Sequence, residues 1–238
     1  MNIRKALVNF TLSIALFSLL ISAQTAVAIP TTFEANYSVA KGSMTLGNLH
    51  TSLKVSGGRY SYQKYTKATG LAALLTGIKI TENTNGVLSG NSIRPSNYLF
   101  NKKQRSKSKI DKIQFSGNTA TENYKGKSYK FNINANTQDR ASLELVLARD
   151  VTLNKARLSY QVVESGEMKT YNFQKLGNEK IQTPAGTFNT VTVKVVRSGN
   201  KRETIFWLAK EVDYLPVKIR HREKNDVIVT VLKNYKKM

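Results

Sequence analysis

The stretch Phe33-Glu34-Ala35-Asn36-Tyr37-Ser38-Val39 alternates apolar and polar residues with a period of two. Such alternation sends successive side chains to opposite faces of a strand and makes one face apolar. Leu49, Thr51, Leu53 and Val55 repeat it, Gly57-Gly58 marks a turn, and Tyr60 and Tyr62 continue beyond the turn. This is the signature of a β-meander. The same reading predicts strands at Ile113 and Phe115, at Tyr129, Phe131 and Ile133, and across 160–163, 171–173, 191–195, 204–208, 217–219 and 227–232. Turn chemistry separates them: Ser116-Gly117-Asn118, Lys125-Gly126, Ser165-Gly166, Pro184-Ala185-Gly186 and Ser198-Gly199-Asn200.

Two segments break the strand pattern. Residues 71–75, between Gly70 and Gly77, form an apolar run that fits one or two helical turns or a loop lying on the sheet. Residues 139–150 read as helix, with Asp139 placed to cap it and Leu143, Val146 and Leu147 on one face. Many antiparallel strands with few helices predict a mainly β fold: a large curved antiparallel sheet or half-open β-barrel with one or two short helices. A helix would cover one opening or one face. The stretch 134–138 is the natural midpoint break, but either half alone would leave an exposed apolar sheet face, so residues 29–238 are expected to form a single β-rich domain.

The 238-residue chain has 37 Lys and Arg against 15 Asp and Glu, a formal charge of +22, and 40% hydrophobic residues. That is too apolar for a disordered basic tail. With no Cys, disulfides, thiolate metal sites, cysteine nucleophiles and a cysteine lipid anchor are excluded. The start has the layout of a secretory signal: Arg4 and Lys5, a largely apolar run over 6–21, then Ala26-Val27-Ala28 as a small-x-small cleavage signature. Residues 1–28 are therefore expected to be a signal peptide. A retained anchor is the alternative, and no second run has spanning length. Export to the periplasm of a Gram-negative envelope turns the charge away from nucleic acid. It points instead to anionic lipid, lipopolysaccharide, acidic glycan or an acidic envelope protein.

The mature chain resembles the bacterial exported family catalogued as domain of unknown function 3108. The residues that carry the resemblance begin with Phe33-x-Ala35-x-Tyr37, Tyr60 and Gly70-Leu71. Pro95-x-x-Tyr98, a basic strand, Ile113-x-Phe115 and Asp139-x-x-Ser142 follow. In the C-terminal third come Thr183-Pro184-Ala185-Gly186-Thr187-Phe188, Trp207-Leu208-Ala209 and Leu215-Pro216-Val217-Lys218. The resemblance runs from Thr32 to Leu232. It implies a periplasmic β-rich protein similar in shape to open barrels that carry lipoproteins or lipids, and it implies no activity and no functional residues.

A search for catalytic chemistry returns little. His50 and His221 are the only imidazoles and neither lies in a metal-ligand pattern, so neither a metal nor a cofactor is expected. Ser61-x-x-Lys64 matches a nucleophile motif in letters, but strand alternation sends its two residues to opposite faces. Ser106-x-x-Lys109 fails for the same reason. Most carboxylates, Asp139, Glu144, Glu164, Glu167 and Glu203 among them, are read as partners for Lys and Arg. The chain is thus read as non-enzymatic, with an envelope-polymer hydrolase a lesser alternative.

The strongest local feature is basic: Lys102, Lys103, Arg105, Lys107 and Lys109 lie within eight residues. If that segment is one extended strand, Lys103, Arg105, Lys107 and Lys109 share a face, about 6.6–6.8 Å apart, and could grip a row of phosphates or carboxylates. A lysine-guarded edge or a loop is the bland reading. Lys218, Arg220 and Arg222 form a secondary cluster. Tyr60, Tyr62, Leu71, Leu74, Tyr98 and Trp207 are the candidates for an aromatic and apolar pocket. Two functions follow as expectations: a carrier for an anionic amphiphile or envelope polymer, or a scaffold that docks an acidic envelope partner.

Overall fold

The computed structural model describes residues 31–199 and 201–238, so the expected signal segment lies outside the described residues. The first half of the chain forms eight strands: β1 (Phe33–Lys41), β2 (Met44–Ser56), β3 (Arg59–Ala68), β4 (Lys79–Ser89), β5 (Ser92–Gln104), β6 (Lys107–Ser116), β7 (Thr119–Tyr124) and β8 (Lys127–Asn132). Helix α1 (Gly70–Thr76) joins β3 to β4, and helix α2 (Arg140–Thr152) follows β8. The second half adds β9 (Leu158–Glu164), β10 (Glu167–Thr183), β11 (Gly186–Val196), β12 (Arg202–Ala209), β13 (Leu215–Glu223) and β14 (Asp226–Lys237). All fourteen belong to one antiparallel sheet, in which each half is a meander and the halves meet where β1 pairs with β14.

The terminal strands therefore lie at the centre of the sheet, and its edges, β8 and β9, come from the middle of the chain. In β1 the inward residues are Phe33, Ala35 and Tyr37, all buried, and Phe33 is directly opposite Leu53 of β2, with neither side chain exposed to solvent. Burying each of these two side chains is worth about 2 kcal/mol. Two glycines permit close strand contact. A Cβ on Gly47 would fall 2.4 Å from the Lys67 carbonyl oxygen, and one on Gly86, at a bulge against β5, only 2.0 Å from that of Arg94.

The gap between β8 and β9 is closed by α2 and two local devices. Asp139 caps the helix, its carboxylate accepting from the amides of Ala141 and Ser142 at 2.8 Å each, while the Ser142 hydroxyl receives the Asp139 amide in return. Its other oxygen accepts from Thr84 of β4 at 2.7 Å. Just before the cap, Gln138 makes a parallel bridge to Val162 of β9, and its side-chain amide donates to the Ile93 carbonyl of β5 at 3.1 Å. The sequence suggests a helix with one apolar face that covers an opening or a face of the sheet. In the structure α2 is buried around most of its circumference, from Ala141 to Val151 apart from Glu144, and it plugs the curl of the sheet. Its polar residues are tolerated there because strands of both halves supply partners.

The second device is the β9–β10 turn. Its Ser165 and Gly166 amides donate to Asp111 of β6 (3.2 Å) and Glu122 of β7 (2.9 Å), pinning the edge of one half to the other. Both carboxyls are buried, and among the described residues the remaining oxygens, Asp111 Oδ1 and Glu122 Oε1, have no other hydrogen-bond partner. Burial, and then the hydrogen bond and charge of Asp111, push Glu122 up to about 8, so the pair holds one proton at neutral pH. A carboxyl whose folded pKa lies above its unfolded value of 4.5 contributes full stability below about pH 4.5 and loses it as pH rises toward 8. Glu122→Gln carries the shared hydrogen permanently. Its melting temperature is expected to match wild type at pH 5 and to exceed it by about 3–5 °C at pH 8.5. Parallel melting curves at all pH values would rule out the shared proton.

Candidate functional site

The polar interior is organised by the first turns of α2. Arg140 and Glu144 are four residues apart and share a face of the helix. The Arg140 guanidinium donates to the Tyr98 hydroxyl from Nε (3.0 Å) and Nη2 (2.7 Å), and that hydroxyl donates to Glu82 at 2.5 Å. Arg140 Nε also lies 3.6 Å from Glu82 of β4 and 3.7 Å from Glu164 of β9, and the guanidinium sits 4.3 Å above the Phe100 ring. Glu164 accepts from Lys169 (3.0 Å) and Tyr171 (2.8 Å), both on β10. One turn along the helix, Glu144 accepts from Tyr62 (3.0 Å) and pairs with Lys64, which also lies 3.8 Å from Glu82.

Three carboxylates thus meet three cations beside the first turns of α2, all largely buried except Lys169, whose side chain is 41% exposed. Burial disfavours charge on Lys64, but Glu144 and Glu82 outweigh it and raise its pKa. Burial opposes the Arg140 charge in the same way and is outweighed by Tyr98 and Glu82. Tyr62 and Tyr98 are held well above the ordinary phenol range by burial and by the adjacent carboxylates, and Tyr171 is pushed up to about 12. The tyrosines stay protonated as donors and the cations stay charged. The assembly joins β3, β4 and β5 to β9 and β10 through one helix, and its chemistry is that of a fixed ionic weld.

Beside the weld lies a cavity of about 160 Å³ between α2 and β10–β13. Leu143 and Leu147 of α2 form one wall, and Phe173, Val195, Phe206 and Leu208 form the other. Arg140, Glu144 and Tyr171 also line it, as does the exposed Arg197, which donates to Thr204 at 3.0 Å. His221 contacts the same hydroxyl at 2.8 Å, and burial, followed by the charge of Arg197, depresses its pKa.

The sequence-derived candidates divide between several places. Tyr60, Tyr62 and Tyr98 point inward and are buried against α2. Leu71 and Leu74 belong to α1, stand in solvent, and line no part of the interior. Trp207 alternates to the face opposite Phe206 and Leu208, where its indole donates to Glu179 at 2.5 Å and Lys218 sits 4.7 Å over its ring. The expectation of one pocket containing all six is therefore corrected. So is the expectation of a single basic row. The chain reverses at Arg105, whose φ is +53°, so Lys102 and Lys103 end β5 while Lys107 and Lys109 begin β6. Lys102 pairs across the hairpin with Lys109, whereas Lys103 pairs with Ser108 and falls on the other face.

The cluster at Lys218, Arg220 and Arg222 lies along the outer face of β13 and is largely engaged. Arg220 reaches Glu203 of β12 at 2.6 Å and Lys194 reaches the same carboxylate at 3.1 Å, with Arg222 Nε at 4.0 Å. Lys194 above all, with Arg220, holds the Glu203 carboxyl below its usual range. Among the described residues no group of three His, Asp or Glu is placed to hold a metal, and no helix is long and apolar enough to cross a membrane.

Lys64, Glu82 and Arg140 escaped sequence reasoning. A signal existed for the first: Lys64 shares the inward parity of Tyr60 and Tyr62, and a lysine on an apolar strand face demands a buried anion.

Residues 32–233 match the family described as "Protein of unknown function (DUF3108)". The chain belongs to this family. No curated protein shows significant similarity to it. Among solved structures, a beta-barrel-like protein of domain of unknown function DUF1849 from Brucella abortus aligns over 88% of this chain and 99% of its own, at 9% identity and a TM-score of 0.52. The two share a fold. A "putative lipoprotein" from Parabacteroides distasonis aligns over 88% of this chain and 98% of its own, at 10% identity and a TM-score of 0.35. A "putative exported protein with YmcC-like fold" from Bacteroides fragilis aligns with the same coverages, at 9% identity and a TM-score of 0.34.

The DUF3108 chain depends on Arg140 for more than one contact. Arg140→Ala leaves Glu82 and Glu164 facing each other without the cation between them, which costs about 3 kcal/mol. Its melting temperature is expected to fall by about 6–12 °C. Arg140→Lys is expected to recover less than half of that loss, because an ammonium cannot reproduce the fork on Tyr98. Full recovery by lysine in thermal melts would show that only charge matters.

Proposed function

We propose that this protein is an exported, non-enzymatic binding module of the Gram-negative periplasm that takes the apolar end of an anionic amphiphile into the cavity between α2 and β10–β13. The observation that carries the reading is the cavity's composition: apolar walls from Leu143, Leu147, Phe173, Val195, Phe206 and Leu208, with the exposed Arg197 among the residues that line it. Arg140, the other lining cation, is already held by Glu82 and Glu164, so Arg197 beside the apolar walls is the cation that suits the negative head of a ligand with a greasy end. At about 160 Å³ the cavity is close to the size that holds one benzene ring. It therefore accommodates a ring or the last few carbons of an acyl chain, with the rest of the ligand outside. The signal-like start and the formal charge of +22 support an envelope setting with anionic ligands.

One observation favours a second reading, a scaffold that docks an acidic envelope protein. Helix α2 and its ionic partners occupy most of the interior, as expected of a sheet filled by its own side chains.

Anilinonaphthalene sulfonate, an anionic aromatic amphiphile, separates the two. The protein is expected to bind it with a fluorescence increase, and dodecyl phosphate to displace it. Val195→Phe, which fills the cavity, is expected to weaken binding by about tenfold or more, and Arg197→Ala by about threefold at low salt. Unchanged binding by Val195→Phe would remove the cavity as the ligand site and leave the scaffold reading.

A further inference from the structure

In an antiparallel meander, alternate connections emerge at the same end of the sheet. The β1–β2 turn, α1, the β5–β6 hairpin and the β7–β8 turn therefore crown one end of the barrel. Helix α1 buries none of its residues there: Leu71, Leu74 and Leu75 are 61%, 80% and 61% exposed. A seven-residue helix with three leucines in solvent spends hydrophobic surface with no return inside the fold, and contiguous exposed apolar surface of this kind marks contact sites.

The leucines are held in place. The Thr69 amide donates to the Leu46 carbonyl at 3.0 Å, fixing the entry of α1 to β2 near the half-exposed Met44. Gly77, in the left-handed region at φ +58°, returns its amide to the Ala73 carbonyl at 2.8 Å and ends the helix. Arg105 Nη2, from the tip of the β5–β6 hairpin, then donates to the Leu75 carbonyl at 2.8 Å. The leucine turn and the basic hairpin form one unit.

Around that unit stand Lys67, Lys79, Lys102, Lys103 and Lys107. Among the described residues none of these five has a carboxylate within ion-pair distance. Lys79 is directly opposite Lys103, and Lys102 directly opposite Lys109. Like charges so placed repel unless an anionic surface compensates them. The β7–β8 turn adds Lys125 and Lys127 at the same end.

We infer that this end of the barrel docks on the surface of an anionic phospholipid bilayer, with Leu71, Leu74 and Leu75 entering the headgroup–acyl boundary and the surrounding lysines meeting lipid phosphates. A short apolar turn ringed by solvated cations is the arrangement by which peripheral proteins engage such surfaces. An acidic protein would answer the charge, but a stable interface buries about 800 Å² on each partner, and the projecting leucines favour a deformable surface. The inference is independent of whether the interior cavity holds a ligand.

Co-sedimentation with vesicles tests it, using phosphatidylglycerol with phosphatidylethanolamine against pure phosphatidylcholine. The N-terminal segment is common to every variant, so differences between variants report on this surface. Wild type is expected to bind the anionic vesicles at least about tenfold more tightly than the neutral ones and to weaken steeply between about 50 and 500 mM salt. Leu71→Ser/Leu74→Ser/Leu75→Ser is expected to lose about tenfold or more at both salt concentrations. Lys102→Ala/Lys103→Ala/Lys107→Ala is expected to lose most binding at low salt and with it the salt dependence. All substituted side chains are at the exposed rim, so both variants should melt with wild type, and both should still bind anilinonaphthalene sulfonate as it does. In Leu74→Trp, emission should shift to the blue on anionic vesicles. Wild-type binding by the leucine variant, or no preference of wild type for anionic vesicles, would overturn the inference. Retention of an acidic polypeptide by wild type and not by the leucine variant, with vesicle binding equal in both, would assign the surface to a protein partner instead.

Discussion

A curled sheet whose two edges do not pair along their length leaves polar backbone and an open seam, and this chain closes it by burying a helix that carries charge. Arg140 and Glu144 reach strands of both halves, so the helix is held in place by partners it also neutralises. Without balanced charge, a buried carboxylate or lysine would cost several kcal/mol. With it, the same groups fix the position of α2 against β3, β4, β5 and β9. The cavity is a consequence: it is the space left where the apolar side of the plugged helix faces β10–β13 and the side chains do not quite meet.

The topology divides the molecule into roles. The pairing of β1 with β14 puts the first and last strands at the centre of the sheet, so the seam falls near the midpoint of the sequence. The β9–β10 turn and the carboxyl pair Asp111–Glu122 secure one end of that seam, and Gln138 and the capped helix secure the rest. Beside α1 and the β5–β6 hairpin, Lys67, Lys79, Lys102, Lys103 and Lys107 have no carboxylate within ion-pair distance among the described residues. On the outer face of β12–β13, Glu203 gathers its neighbours into ion pairs. The difference is local: β12 carries an acid in register with the basic strand, whereas at the tip of the β5–β6 hairpin Lys102 faces Lys109, Lys103 faces Ser108 and Gln104 faces Lys107.

Membership of the DUF3108 family and the fold shared with the Brucella abortus protein place this architecture among β-barrel-like domains. Their likeness extends to shape. The reading of the cavity and of the leucine rim comes from the residues of this chain.

The sequence by itself determined the meander, many of its turns, the position of α2 and the Asp139 cap, and it left residues 71–75 as helix or loop. Each of these is written in local order, as period-two alternation, as glycine-bearing turns, or as a capping residue beside its own helix. It left β4 and β7 unmarked; in β4 the inward residues Glu82 and Thr84 are polar and break the alternation that reveals a strand. Their reason for being polar lies 55 and more residues away, at Asp139 and Arg140. Tertiary structure alone decided that α2 is a plug, that Lys64, Glu82, Arg140, Glu144, Glu164 and Lys169 form one neutral network, and that the basic run is a hairpin tip beside α1. Charge pairing, burial on both sides of a helix, and the reversal at Arg105 depend on which distant strands become neighbours, and strand order is set by the closure of the whole sheet.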